Sequence, residues 1–181
     1  MVEEQLANVL GAFALALTDE MEGAAEKAAG RSGAGAAAVV ALSELLAGRS
    51  VDDLRRAVGL THSGGVRMVD RLVTDGLAER RPGADGRTVA LALTPAGRRL
   101  AEQMRDARHS ALHGVLDVLD DRERDALAGV LDKLVGAAVA RRLDARAAGV
   151  DPGGWLCRLC DPVACGRPEG RCPAANAAAG G

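Results

Sequence analysis

Apolar residues recur three and four positions apart along most of the chain, which is the spacing of one face of an α-helix. The pattern predicts helices over 2–28 and 39–48, with a glycine-rich break at 31–36 between them. It also predicts two long helices, over 95–119 and 122–146, each with a continuous apolar face. A small domain cannot cover apolar faces of this length, so we expect the terminal helices to pack against a second copy of the chain.

The segment between these helices carries the signals of a helix-turn-helix unit. Ser50 precedes a short helix whose first turn is acidic, and Gly59 follows that helix as a turn residue. Thr61 then begins a second helix, over 62–75, whose apolar residues are again three and four positions apart. Two helices joined by a tight glycine turn are typical of the DNA-binding motif whose second helix enters the major groove.

A β-hairpin is predicted directly after this second helix. Alternating apolar and polar residues around Leu77 and over 89–93 flank a turn-rich, charged sequence, PGADGR. Thr94 and Pro95 then supply the capping residue and the first residue of the next helix. The predicted fold class is therefore mainly α: a winged helix-turn-helix with long terminal helices that form a dimerisation domain.

The chain divides on this basis into four segments. Residues 1–48 supply N-terminal helices for dimerisation and support, and residues 49–94 form the winged helix-turn-helix DNA-binding unit. Residues 95–149 form the C-terminal dimerisation helices. After a Pro- and Gly-rich break, residues 150–181 form a cysteine-rich tail that we expect to bind a metal or cluster.

Charge is distributed unevenly over these segments. The formal net charge is only −2, which alone gives no indication of nucleic-acid binding. Residues 1–48 carry −5 and residues 100–181 carry −1, whereas residues 49–99 carry +4. The positive charge therefore coincides with the predicted DNA-binding unit, as attraction to phosphate requires. The number of arginines carries no weight, because 21 of the 23 basic residues of the chain are Arg.

Candidate DNA contacts lie on the second helix of the motif and on the hairpin. Ser63, Arg67 and Arg71 are four residues apart and share the helix face opposite the apolar one. Arginine forks onto guanine in the major groove, and a hydroxyl near a helix start reaches phosphate or a base edge. Arg87 at the hairpin tip suits the adjacent minor groove, with Asp85 two residues away to orient its guanidinium. The predicted DNA-binding residues are Thr61, His62, Ser63, Arg67, Arg71, Arg80, Arg81, Asp85 and Arg87.

These motifs resemble the multiple-antibiotic-resistance regulator (MarR) family. The wing signature of that family is Asp-x-Arg, then an apolar strand, then Leu-Thr-x-x-Gly, and it is similar to residues 85–87, 89–92 and 93–97. The start of the second motif helix, Leu60-Thr61, and its end, L-x-x-x-G-L over 72–77, also look like the family.

The resemblance covers about residues 2–147 and implies a partner and a mode of action. It implies a homodimer with interlocked terminal helices that binds a pseudo-palindromic operator in double-stranded DNA. Two recognition helices would then lie about 34 Å apart, which is one helical turn of DNA. It also implies repression or activation of transcription under the control of a signal.

All four cysteines of the chain lie within 16 residues of the tail. Cys157, Cys160, Cys165 and Cys172 have the spacing C-x2-C-x4-C-x6-C in a sequence rich in Pro and Gly. Four thiolates on short turns can surround one tetrahedral metal ion or one iron–sulfur cluster. We therefore predict these four cysteines as metal ligands, and we expect the nearby Trp155 to pack the tail onto the helices.

The spacing leaves the kind of centre open. Close, uneven spacing that ends in Cys-Pro is typical of ferredoxin-like loops and favours an iron–sulfur cluster. The cysteine run is similar to that at the C-terminus of the SoxR-type redox regulators, which hold a [2Fe-2S] cluster, although the spacing differs. This resemblance implies [2Fe-2S] rather than [4Fe-4S]. Zinc is the alternative, but zinc sites usually join two CxxC knuckles and this tail has one. A disulfide switch leaves two of the four cysteines unexplained.

The predicted function is a homodimeric transcriptional regulator, a repressor in the first place, whose operator binding is modulated by a redox-sensing iron–sulfur cluster with four cysteine ligands. The alternative is a regulator of the same type in which zinc is structural and another ligand is sensed. An enzyme of another class, a thiol oxidoreductase that uses Cys157 and Cys160, is disfavoured. No βαβ pattern surrounds these two cysteines, and no acid–base pair accompanies them.

The sequence does not indicate a membrane protein or a secreted protein. No run approaches the ~18 apolar residues that a bilayer span needs, and no basic region precedes the apolar stretch at 9–17. We expect a cytoplasmic protein with no membrane partner, in which thiols stay reduced and available to a metal. The chain is 48% apolar with one Phe, one Trp and no Tyr, which predicts a core of Leu, Val and Ala.

Overall fold

The computed structural model describes residues 2–30, 33–83 and 88–180, and it confirms the mainly helical fold class. Within these ranges the elements are α1 (Val2–Ala29), α2 (Gly33–Glu44), α3 (Val51–Val58), α4 (His62–Thr74), β1 (Ala78–Pro82), β2 (Val89–Leu93), α5 (Pro95–Leu116), α6 (Asp121–Ala147) and α7 (Pro173–Ala179). Helices α3 and α4 and the β1–β2 hairpin form the winged helix-turn-helix unit.

The helix-turn-helix is delimited by the caps that the sequence indicates. At the start of α3, Ser50 Oγ accepts a hydrogen bond from Asp53 N, and the Asp53 carboxylate accepts one from Ser50 N. Gly59 ends α3 in the left-handed region, at φ 74°. At the start of α4, Thr61 Oγ1 accepts a hydrogen bond from Gly64 N. Each cap satisfies a backbone group that has no partner inside its helix.

The hairpin is attached to the helix-turn-helix by backbone hydrogen bonds. Strands β1 and β2 pair in antiparallel fashion. Just before α3, Ser50 forms an isolated bridge with Ala90, and Leu91 N donates to Arg49 O at 2.9 Å. The chain segment that enters α3 therefore extends the sheet and fixes the hairpin beside α4.

The core lies among α2, α3, α4, the hairpin and the first turns of α5. Its largest fully buried side chains are Leu54, Leu72, Leu91, Val39 and Val69. Among the described residues, every buried side chain of the core cluster is apolar, and Leu, Val and Ala dominate as the composition predicts. The stability of this unit therefore comes from burial of aliphatic surface.

Helices α1 and α6 are exposed by comparison, and neither has a fully buried residue. Helix α1 packs along α5, yet large apolar side chains on it remain open, with 66% of Leu6 and 48% of Phe13 exposed. On α6, 52% of Val130 and 46% of Leu134 are exposed. In the part of the chain that the structure describes, no helix combines the length and apolarity that a bilayer span requires.

The predicted course of the second helix was wrong at both ends. The sequence predicts a break over 31–36, but α2 is already helical from Gly33. The alanines that follow have the highest helix propensity of all residues and outweigh the two glycines. At the other end, α2 stops at Glu44, and a turn rather than helix leads to Gly48.

Gly65 marks the closest approach of α3 to α4. A Cβ atom at Gly65 would lie 2.6 Å from Cβ of Arg55, which belongs to α3. Real Cβ atoms do not come this close, so the contact requires glycine at this position although glycine disfavours helix. The crossing of the two helices is therefore set by a backbone-to-side-chain contact.

We predict that Gly65→Ala destabilises the fold although alanine is the better helix former. The added methyl group forces α3 and α4 apart, and overpacking of this kind costs about 1–3 kcal/mol. Gly129→Ala in α6 is the control, because nothing lies within 4 Å of its added Cβ, and it should gain about 0.5–1 kcal/mol. Urea unfolding at a fixed protein concentration measures both, and equal stabilisation by the two substitutions would contradict this packing.

Candidate nucleic-acid interface and cysteine loop

The outward face of α4 carries two exposed arginines, Arg67 and Arg71, which are four residues apart. Val69 and Leu72 on the opposite face are buried in the core, and they fix the orientation of the helix. Within the described residues, neither guanidinium forms a hydrogen bond or an ion pair. Both positive charges are therefore available to a partner outside the chain.

Three further predicted contacts, Thr61, His62 and Ser63, are exposed at the start of α4. Thr61 Oγ1 lies 3.2 Å from Gly64 N, whose hydrogen bond it accepts, and 3.5 Å from Ser63 Oγ. Thr61 thus acts as the cap that begins the helix, while His62 and Ser63 present their side chains to solvent. The uncapped N–H groups of a first helical turn also attract anions.

The two arginines predicted at the base of the hairpin are exposed but paired. Arg80 Nη2 lies 2.6 Å from Asp70 Oδ1, and Asp70 belongs to α4. Arg81 forms an ion pair with Glu79. Exposed ion pairs contribute little stability, so a phosphate can exchange for either carboxylate. The Arg80–Asp70 pair also ties β1 to α4, which the sequence did not indicate.

The remaining predicted contacts, Asp85 and Arg87, lie outside the described residues, between the ends of β1 and β2. Their proposed action at the minor groove stays a prediction. The two strands that flank them are in place beside α4, as the predicted wing requires.

The cysteine loop, residues 157–172, follows α6 as a series of turns and leads into α7. All four thiols are free, three of them half-buried and Cys172 buried. Cys157 and Cys160 shift each other's pKa, and burial followed by Cys172 raises the pKa of Cys165. Mutual repulsion of the thiolates also acts between these two pairs, Cys157–Cys160 and Cys165–Cys172, and raises the pKa of Cys160 and of Cys165 further.

The two thiols of the CxxC pair differ in acidity. The hydrogen bond from Cys160 lowers the pKa of Cys157 to about 6, and the positive charge of Arg167 acts in the same direction. The same hydrogen bond, followed by burial, raises the pKa of Cys160. At neutral pH, Cys157 is therefore mostly thiolate, the form that reacts with electrophiles and binds metals.

As donors the four cysteines suit zinc or an iron–sulfur cluster, because both prefer thiolate ligands. Their arrangement does not yet form such a site. Among residues 2–30, 33–83 and 88–180, no group of three or more His, Cys, Asp or Glu side chains is placed to hold a metal ion. Ligation of one centre by all four cysteines requires the two thiol pairs to turn toward a common point.

Asp161 organises the loop and joins it to α5. Its Oδ1 accepts hydrogen bonds from Val163 N and Ala164 N at 2.8 and 3.0 Å. Its Oδ2 lies 3.8 Å from Arg105 Nε and 4.0 Å from His109 Nε2. The hydrogen bond from Ala164 and then these other partners lower the pKa of Asp161, so the carboxylate is charged at neutral pH and holds the turn against α5.

The docking segment, residues 152–155, joins α6 to the cysteine loop. Trp155 N donates a hydrogen bond to Ala57 O in the last turn of α3, at 2.7 Å. From α6, Arg142 Nη1 donates to the carbonyl oxygens of Pro152 and Gly154 at 3.0 and 2.6 Å. The Trp155 side chain packs against the core cluster, which confirms its predicted structural role.

The cysteine loop also closes a cavity of about 250 Å³ that it shares with α1, α2 and α5. Arg158 and Leu159, from within the CxxC sequence, contribute to its wall together with Arg108 of α5. Arg108 Nε is buried without a hydrogen-bond partner in the described part of the chain, and the arginine's charge acts on Cys160. The loop is thus a packed part of the folded unit.

We predict that iodoacetamide modifies Cys157 before the other cysteines in protein freed of metal by a chelator. Because only the thiolate reacts, the rate should fall as the pH is lowered and reach half its maximum near pH 6. Cys160→Ala removes the hydrogen-bond donor and should move this midpoint upward. Peptide mass spectrometry follows each site, and a wild-type midpoint near the usual thiol pKa of about 8.5 would disprove the assigned hydrogen bond.

No protein-family model and no curated protein matches the chain. Solved structures do match its fold. A MarR family protein from Bacillus stearothermophilus matches with a TM-score of 0.66 and 23% identity, over 74% of this chain and 92% of that one. MepR, a transcription regulator of the Staphylococcus aureus multidrug efflux pump MepA, matches with a TM-score of 0.64 and 15% identity, over 72% and 96%.

A third match is the transcriptional repressor CouR bound to a 23-mer DNA duplex, with a TM-score of 0.58 and 21% identity, over 74% of this chain and 94% of that one. At identities this low, the matches show similarity of fold and nothing more. The chain has the winged-helix fold of the MarR-family structures.

Proposed function

We propose that the chain is a homodimeric transcriptional regulator that reads double-stranded DNA with α4 and the β1–β2 hairpin. The observation that carries the proposal is the pair of exposed arginines, Arg67 and Arg71, on the outward face of the second motif helix. Guanidinium groups without a partner inside the protein are available to guanine and to phosphate. The matched structures are those of regulators, which favours this function over an enzyme.

Charge and fold similarity support duplex DNA as the partner. Residues 49–99 carry +4, while the segments before and after them carry −5 and −1. The positive charge of the chain is therefore concentrated on the unit that contains α4. CouR, which has a similar fold, is a repressor bound to a DNA duplex, and we place repression before activation on this ground.

The exposed apolar faces of α1 and α6 support the homodimer. Neither helix has a fully buried residue, although both carry large apolar side chains. A second copy of the chain offers the same faces, and their mutual burial removes them from water. Twofold symmetry then presents two α4 helices to the DNA, which matches a pseudo-palindromic operator with half-sites about 34 Å apart.

We predict that Arg67→Ala/Arg71→Ala weakens DNA binding by about 10- to 100-fold and makes its salt dependence shallower. The control is Arg122→Ala/Arg141→Ala, which removes the same charge from exposed positions on α6. The probe is a pool of genomic duplex fragments selected with the wild-type chain, and binding is measured by fluorescence anisotropy at several salt concentrations. Equal affinity of the two double variants would refute α4 as the DNA-reading helix.

For the tail, we propose that Cys157, Cys160, Cys165 and Cys172 ligate a redox-sensing iron–sulfur cluster, [2Fe-2S] in the first place, that modulates operator binding. The support is the soft donor set, the mutual effect of the thiols on their pKa values, and the positive charges nearby. Arg167 favours the thiolate at Cys157, and Arg108 offsets a part of the rise in the pKa of Cys160 that Cys157 and burial cause. The alternative is a regulator with the same DNA-binding unit in which zinc holds the tail and another ligand is sensed.

Purification under anaerobic conditions tests the centre. We predict a protein with visible absorption and about two iron and two sulfide per chain, both of which are lost in Cys157→Ser. Glu169→Ala, an exposed position in the same loop, is the control and should keep the absorption. Colourless protein with one zinc per chain would contradict the cluster and support the zinc alternative. Protein without iron or zinc would refute a four-cysteine centre.

A further inference from the structure

The DNA-binding unit and the cysteine loop touch through the docking segment, residues 152–155. We propose that this contact positions α4 and transmits to it any change in the arrangement of the four cysteines. The inference rests on the proposed function in two respects, namely that α4 is the helix that reads DNA and that the four cysteines converge on one centre. The contact itself is a property of the folded chain and can be tested without DNA.

Two glycines make the contact possible. A Cβ atom at Gly59 would lie 2.7 Å from Gly154 N, and a Cβ atom at Gly154 would lie 2.8 Å from Ala57 O and 3.0 Å from Gly59 N. Gly59 also needs glycine for its positive φ, whereas Gly154 has no positive φ. Close approach to the α3–α4 turn is therefore the reason for glycine at 154.

A hydrogen bond holds the two backbones together at this point. The last carbonyl groups of a helix lack partners within the helix, and Ala57 O belongs to the last turn of α3. Trp155 N supplies the missing donor at 2.7 Å. The tail thus caps the C-terminus of α3, and α4 begins only a few residues later at His62.

Displacement at the end of α3 passes directly to α4. The two helices are connected by a short turn, and they touch where Gly65 of α4 meets Arg55 of α3, with no room for a side chain at Gly65. Packed elements in such contact move together rather than deform. Whatever shifts the α3–α4 turn therefore shifts the face that carries Arg67 and Arg71.

On its other side, the docking segment is held by α6 and by the cysteine loop. Arg142 of α6 donates to two of its carbonyl oxygens, at Pro152 and Gly154. Arg158 Nη1, from within the CxxC sequence, donates to Trp155 O at 3.1 Å. A single residue separates Trp155 from Cys157, so a displacement of Cys157 acts on the docking segment over a short stretch of chain.

The consequence is a coupling between the cysteine loop and the position of α4. The four cysteines are not placed to hold a metal ion in this structure, and the proposed four-cysteine centre requires them to converge, so loading of that centre gives the loop a second arrangement. A coupling of this kind needs an element with two states and a contact that connects it to the second site. The cysteine loop is the element with two states, and the docking segment is the contact that connects it to α4.

Gly154→Ala tests the contact, because the added methyl group cannot be placed without parting the backbones at 57–59 from the tail. We predict that amide hydrogen exchange over 51–74 becomes about tenfold faster in this variant without DNA, while the rest of the core keeps its protection. Gly136→Ala in α6 is the matched control, since its nearest neighbour is Ala177 Cβ at 3.9 Å, and it should leave exchange unchanged.

Transmission is tested by a double-mutant cycle on the affinity for genomic duplex fragments selected with the wild-type chain. Replacement of all four cysteines by serine should change this affinity in the wild-type background and leave it unchanged, within about twofold, in the Gly154→Ala background. Equal effects in both backgrounds would overturn transmission through the docking segment. Unaltered exchange over 51–74 in Gly154→Ala would overturn the contact as a determinant of α4.

Two further experiments cover a variant that does not fold and a chain that does not bind DNA. If Gly154→Ala does not fold, Arg142→Gln takes its place, because it removes the hydrogen bonds to Pro152 and Gly154 from outside the core. It should accelerate exchange over 51–74 in the same direction, and its failure to do so would overturn the proposal. If wild-type protein binds no duplex DNA, the proposed function fails, and the exchange measurement alone decides whether the tail positions α4.

Discussion

The architecture depends on close contacts at three glycines in and around the α3–α4 unit. Gly65 lets α4 lie against α3, and Gly59 and Gly154 let the tail lie against the end of α3. At each of these positions a side chain would force the elements apart, and such separation is costly in a close-packed interior. The helix-turn-helix is therefore fixed on one side to the hairpin and core, and on the other to the cysteine-rich tail.

One part of the chain buries its own apolar residues, and another part leaves them exposed. The unit formed by α2, α3, α4, the hairpin and the start of α5 buries its own aliphatic core. Helices α1 and α6 leave theirs exposed, and this is the physical basis of the proposed homodimer. The proposed DNA-reading face needs both parts, because a single α4 offers only two free guanidinium groups to one half-site.

The sequence predicted what depends on local signals and on periodicity. Ser50, Gly59, Thr61 and Thr94 delimit their helices as capping chemistry requires, and Trp155 packs the tail as expected. The sequence could not predict contacts between distant segments, since these contacts depend on how the elements pack. The Arg80–Asp70 pair, the approach of Gly154 to α3 and the pairwise arrangement of the thiols belong to this second class. The helical start of α2 was missed because alanine outweighs glycine there.

The central claim is that the α3–α4 unit lies between DNA on one side and the cysteine-rich tail on the other. Hydrogen exchange of the wild-type chain, with and without selected duplex fragments, tests it most directly. The account predicts added protection over 62–74, where DNA contacts α4, together with a smaller increase over 152–160, where the tail follows the position of α3. Protection elsewhere with 62–74 unchanged would contradict the account.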